Sequence, residues 1–200
     1  MKRRSQRHGG PRGGDGRPSP TTPAQTLLAR GREHHQAGRL AEAEAIYRQI
    51  LAAEPANAPS LHLLGVLANQ VGQPEASIQL ISRAIEIDPR TASYHSNLGV
   101  AYQALDKLEE AVACYGRALV LQPDHVDALN NQGVALQTLG QAEHALSAFQ
   151  RSLRLRPNHV ETLTNAAISL RILGRYGEAE MLLRRALRLQ PTHEEALTNL

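Results

Sequence analysis

The sequence predicts an all-α solenoid built from stacked helical hairpins, and three observations carry that expectation. Pro55, Pro89, Pro123, Pro157 and Pro191 stand 34 residues apart without a slip, and self-similarity at a fixed period of this size marks a stacked array. Within each period, small and apolar residues recur at intervals of three and four, the spacing of one helical face. Aromatic residues make up only 3% of the chain and Trp is absent, which suits helices packed through Ala, Leu and other small side chains.

Residues 1–23 form a basic opening rich in Gly, Pro and Arg. Lys2, Arg3, Arg4, Arg7, Arg12 and Arg17 face only Asp15, a net of +5 where the whole chain carries +3. The basicity therefore belongs to this segment, which reads as a disordered, soluble leader. Taking each proline as position 32 divides the rest into units 24–57, 58–91, 92–125, 126–159 and 160–193, with a sixth unit opening at Glu194.

The third unit shows the pattern inside each period. In YHSNLGVAYQAL, the residues Leu98, Gly99, Ala101, Tyr102 and Leu105 share one helical face. After a turn at Asp106-Lys107, LEEAVACYGRALVLQ repeats the rhythm with Leu108, Ala111, Val112, Tyr115, Ala118, Leu119 and Leu121. Glu109 and Glu110 lie in the first turn of this second helix, where carboxylates meet the positive end of the helix dipole. Pro123 ends it, because proline has no N–H to continue the ladder. Each unit is thus expected to be two antiparallel helices.

Small residues in register predict how the two helices meet. Position 8 holds Gly31, Gly65, Gly99, Gly133 and Ala167, and position 20 holds Ala43, Ser77, Ala111, Ala145 and Ala179. A helical glycine costs about 1 kcal/mol relative to alanine, so four in register imply an offsetting close approach. Tyr47, Ile81, Tyr115, Phe149 and Leu183, at position 24, are the bulky residues that would fill the space opposite.

Together with alanine at position 27 (Ala84, Ala118, Ala186) and proline at position 32, these residues resemble the tetratricopeptide repeat family over residues 24–200. The resemblance implies a right-handed α-solenoid whose first helices line a concave groove. Arg30, His34 and Ile50 depart from the pattern in the first unit, which suggests a worn, capping repeat. In the third unit, Asp106 stands where the neighbouring units have Gly72, Gly140 and Gly174.

On the first helices, the resemblance makes positions 2, 5, 6, 9, 12 and 13 the candidate contact surface. Position 6 holds Asn97, Asn131, Asn165 and Asn199. A carboxamide offers an acceptor and two donors, so it can bond both the C=O and the N–H of another backbone. Helices packed at roughly 8 to 10 Å would space such rungs by about three residues of an extended peptide at ~3.3 Å per residue. Asn130, Thr164, Thr198, Gln103, Gln137 and Thr138 complete a polar, nearly uncharged lining, interrupted by Asp127, Glu161 and Arg171. Two accounts of the asparagines stand side by side: a ladder for extended segments of other proteins, or polar residues on an exposed face copied by duplication.

The ladder and the surrounding ASYHSNLGVAYQALDKLEEAVACYGRALVLQPDHVDALNNQG are similar to the N-terminal arm of protein O-GlcNAc transferases. That resemblance implies a groove receiving a protein substrate for a glycosyltransferase domain, and carries over no catalytic residue. Ala29 and Leu63 occupy position 6 in the first two units, so a ladder would start at the third. A carboxylate clamp of the kind that grips chaperone C-termini is not expected, since position 9 reads Arg32, Val66, Val100, Val134 and Ile168.

Other chemistry finds little support. A single cysteine, Cys114, rules out an internal disulfide framework and a Cys-based zinc site. His125, His159 and His193 share one repeat position, which places them in separate turns, too far apart to share a zinc ion. Arg83, Arg117, Arg151 and Arg185 form a stripe at position 26 of the second helices, interspersed with Glu42, Glu110, Glu178 and Glu180, as on a solvated face. The leader's GGPRGGDGR is reminiscent of RNA-binding Arg-Gly segments but is short and lacks interleaved aromatics, so no nucleic acid is expected as a partner, and an RNA-associated adaptor acting through residues 1–23 stands as a third reading behind protein binding and the transferase arm. The glycines at 9–16 are not placed between strand and helix as a phosphate loop requires, and no cofactor or metal is implied. No apolar run approaches the ~18 residues that span a bilayer, and the basic start is not followed by the apolar stretch of a secretory signal. The expected location is cytoplasmic. HEEALTNL repeats VDALNNQG and VETLTNAA, so the sixth unit breaks at position 7, which predicts a fragment of a longer protein with a further C-terminal domain.

Overall fold

A computed structural model describes residues 22–200, and these form eleven α-helices with no strand among them. The first hairpin pairs α1 (Pro23–Gln36) with α2 (Leu40–Ala53), and the second pairs α3 (Ala58–Gln70) with α4 (Pro74–Ile87). Next come α5 (Ala92–Ala104) with α6 (Leu108–Leu121), α7 (Val126–Thr138) with α8 (Ala142–Leu155), and α9 (Val160–Ile172) with α10 (Tyr176–Leu189). The last is α11 (Glu194–Asn199). From α3 to α10 the helix boundaries repeat every 34 residues, as the proline register requires.

The expected leader, apart from Thr22 and Pro23, lies outside the described residues. Those two belong to the array. The Thr22 hydroxyl accepts from the Gln25 N–H at 3.2 Å, while the Gln25 side chain accepts from the Thr22 N–H at 2.9 Å. Pro23 fills the first helical position, where its missing N–H costs nothing. The first helix therefore starts just ahead of the boundary drawn from the proline register.

Each hairpin turn passes through one left-handed residue: Gly38, Gly72, Gly140 and Gly174 have φ between 73° and 77°, and Asp106 has φ 56°. Only Asp106 carries a Cβ there, which crowds the following carbonyl oxygen. Asp106→Gly is expected to stabilise the array by about 0.5–1 kcal/mol, read as a raised midpoint in thermal unfolding. An unchanged or lowered midpoint would show that the Asp side chain compensates locally.

Packing inside the hairpins agrees with the small-residue register. A Cβ built on Gly31, Gly65, Gly99 or Gly133 would come within 2.5–2.7 Å of Tyr47, Ile81, Tyr115 or Phe149 respectively. These four partners are fully buried, as are Ala43, Ser77, Ala111 and Ala145 on the same second helices. In the fifth hairpin both sides shift together: Ala167 replaces glycine and the shorter Leu183 replaces the ring. Position 24 is thus the keystone of each repeat, and four core clusters follow one another along the stack, bridged by the partly buried Leu51, Leu80, Tyr102 and Val112.

Helices touch only their near neighbours in the chain. Successive first helices (α3 and α5, α5 and α7, α7 and α9) touch one another, whereas no successive pair of second helices makes a comparable contact. The stack therefore closes toward the first helices, which line its inner face.

Candidate functional site

The site is built from the inner faces of α3, α5, α7, α9 and α11, but equivalent positions do not carry equivalent roles. All four ladder asparagines are half-buried on this face. Two of them are already committed. Asn97 donates from Nδ2 to His62 Nε2 at 2.7 Å, a bond between adjacent repeats. Asn199 accepts from Arg171 at 2.7 Å and donates to the Glu195 carbonyl at 2.8 Å. Asn131 and Asn165 make no side-chain hydrogen bond within the described residues, so their carboxamides are free to face a ligand.

The rest of the expected lining divides in the same way. Thr164 is fully buried and its hydroxyl donates to the Val160 carbonyl at 3.0 Å. It is removed from the lining, because position 5 turns into the contact between first helices; His62 and Ser96, at the same position, are buried too. Asn130, also at position 5, stays half-exposed but accepts from the Thr162 hydroxyl of the next repeat at 2.8 Å. Gln103 accepts from the Tyr115 hydroxyl at 3.0 Å, which leaves its NH2 group unengaged. Gln137 is half-exposed and makes no side-chain hydrogen bond.

Of the free amides, Gln103 and Asn131 border a hollow of about 310 Å³ between α3, α5 and α7, lined by Asn69, Val100, Gln103, Ala104, Tyr115 and Asn131. Asn69 was not singled out from the sequence, although it shares position 12 with Gln103 and Gln137. Its Oδ1 is buried without a donor. No ionisable side chain lines this hollow except the Tyr115 phenol, whose pKa burial raises well above the ordinary tyrosine value.

At the N-terminal end of the face, the His62 ring packs against Tyr94, tilted by 33° with centroids 4.5 Å apart. Burial, assisted by the nearby Arg32 charge, pushes the His62 pKa down to about 4. The ring is therefore neutral at physiological pH, as its role as acceptor from Asn97 requires.

Sequence profiles of the family described as "tetratricopeptide repeat" match residues 34–99, 90–158 and 133–194. The chain is an array of tetratricopeptide repeats. A sequence search among curated proteins found no match. Similar solved structures include PilF of Pseudomonas aeruginosa, at 21% identity over 88% of this chain and 80% of that one, with a TM-score of 0.81. MamA is 21% identical over 84% of this chain and 92% of its own, with a TM-score of 0.72. YrrB, described as a tetratricopeptide repeat protein with an unusual peptide-binding site, is 20% identical over 88% and 90%, with a TM-score of 0.71. These likenesses bear on the fold of the tetratricopeptide array.

Residues outside the groove turn out to build the array. His125, His159 and His193 are N-caps: each ring accepts the N–H three residues on, at 3.2–3.4 Å, to open α7, α9 and α11. Asn57 does the same for α3. Their place just ahead of an apolar-periodic run was the available signal, although histidine is not among the usual capping residues. His34 accepts from Arg39, and His35 bonds Gln70 in the next repeat at 2.9 Å. In the arginine stripe, Arg151 and Arg185 reach back to the Pro123 carbonyl and the Asn158 side chain, bracing the preceding turns. The Cys114 thiol, its pKa pushed up to about 11 by burial and by Glu110, is a poor nucleophile. No helix among the described residues is long and apolar enough to cross a membrane.

Proposed function

We propose that the tetratricopeptide array is a protein-interaction module that holds an extended polypeptide on its inner face, with Asn131 and Asn165 as the backbone contacts. The observation that carries this is the pair of unengaged carboxamides one repeat apart at position 6, beside the free Gln137 amide, while Asn97, Asn130 and Asn199 are tied up in contacts between repeats. Each can accept from and donate to one peptide unit, and hydrogen bonds to backbone tolerate many ligand sequences. A ladder of two rungs is shorter than the four that the repeat positions suggest. The peptide-binding site for which YrrB is described suits the same kind of partner.

The resemblance to the O-GlcNAc transferase arm supports a narrower version, in which the held segment is an acceptor for a transferase domain outside these residues. Both versions place the same demand on the groove. Changing Asn131 and Asn165 together to Ala is expected to weaken binding of fluorescein-labelled extended peptides by roughly tenfold to a hundredfold, about 0.7–1.4 kcal/mol for each lost pair of hydrogen bonds. Asn97→Ala, by contrast, should act on stability. Fluorescence anisotropy reads the first effect; equal affinity in the double variant would remove the two-rung ladder.

A further inference from the structure

The hollow beside Asn131 carries chemistry that a backbone ladder does not need. Asn69, Gln103 and Asn131 come from three successive repeats and line one space, walled by Val100, Ala104 and Tyr115. Their hydrogen-bonding capacity is unevenly spent. Gln103 has its oxygen occupied by the Tyr115 hydroxyl, so it offers donors. Asn69 has an oxygen buried without a donor, and a buried acceptor left unpaired is unfavourable; turning its carboxamide toward the hollow would let a ligand supply the missing donor. Asn131 offers both kinds of group.

We propose that this hollow is a specificity pocket that selects a neutral, hydrogen-bonding side chain of the bound polypeptide, a primary carboxamide above all. The proposal rests on the polypeptide-binding groove proposed above and names what that groove prefers. A carboxamide has one acceptor for the Gln103 NH2 and two donors, enough for the Asn69 oxygen and the Asn131 oxygen. About 310 Å³ accommodates a Gln or Asn side chain. A Lys or Glu side chain would find no counter-ion there, because no carboxylate or cationic group lines the walls, and would give up part of its hydration without a charged partner. A Leu side chain would bury the three amides without partners. Ser and Thr, with one donor each, satisfy part of the site.

A positional-scanning library of fluorescein-labelled nonapeptides, read by anisotropy, tests this directly. The unaltered protein is expected to favour Gln or Asn at one peptide position by about tenfold over Leu, Lys or Glu, the worth of roughly one well-made hydrogen bond. Asn69→Leu should abolish that preference, while Asn165→Ala, which lies outside the hollow, weakens all peptides together. Asn69→Leu also removes the orphaned oxygen, so it should unfold no earlier than the unaltered protein, and circular dichroism checks that it folds. Peptides that bind with no side-chain preference, or a preference that survives Asn69→Leu, would overturn the pocket and leave the groove standing. A library that does not bind at all would overturn both.

Discussion

Truncating Phe149 to alanine is expected to destabilise the array by about 3–5 kcal/mol, the cost of emptying a filled aromatic site in a packed core. The ring is fully buried between α7 and α8, and it is the side chain for which Gly133 leaves room. Gly133→Leu should cost about 1–3 kcal/mol by overpacking, because even its Cβ would lie 2.5 Å from the ring. The two changes should not add. With Phe149 gone, the leucine at 133 enters the vacated space, so the double variant should be more stable than the sum of the single losses allows. A milder form of this exchange is already built into the chain, where Ala167 faces Leu183. Urea unfolding of the four proteins in a double-mutant cycle measures the coupling. Simple additivity would show that the glycine and the ring do not share one space.

Acid is expected to weaken the N-terminal half of the array. His62 has its pKa pushed down to about 4 in the fold, first by burial and then by Arg32, whereas an exposed histidine titrates near 6.5. Between these values the unfolded chain binds a proton that the folded chain refuses, so stability falls as pH falls. The contribution is intact above pH ~6.5, and about 3 kcal/mol of it is lost by pH ~4. The hydrogen bond explains why the fold resists: a protonated Nε2 has no lone pair for the Asn97 NH2 group. Around the ring stand Arg32 from α1 and Tyr94 and Asn97 from α5, with Asp88 acting on Tyr94. None of them is an anion in contact with the ring that would welcome the proton. Unfolding measured from pH 7 to pH 4 should show this loss in the unaltered protein and a much flatter profile in His62→Gln. Parallel profiles would place the acid sensitivity elsewhere.

The hairpins, their boundaries and their packing partners were legible in the sequence because each depends on local rules repeated in register. A proline stops a second helix wherever it falls, a glycine at position 8 admits the ring at position 24 of the same unit, and the third unit's Asp106 stood out against its neighbours. Copies of one unit report the same constraint five times, so the pattern rises above the noise of any single helix. The chain's membership among tetratricopeptide repeats followed from these residues.

The asparagines obeyed a different logic. Asn97, Asn131, Asn165 and Asn199 look equivalent in the sequence, yet what each does depends on a residue in another helix: His62 for Asn97, Arg171 for Asn199, and no protein partner for Asn131 or Asn165 among the described residues. Similarly, Thr164 is polar and stands at a groove position, but the contact between first helices covers it. Local periodicity determined which face each helix turns inward, because side-chain direction follows from the helix itself. Only the tertiary structure decided which polar groups on that face remain free, because a hydrogen bond across two repeats depends on side-chain identities that vary from one copy to the next, and the period cannot report them.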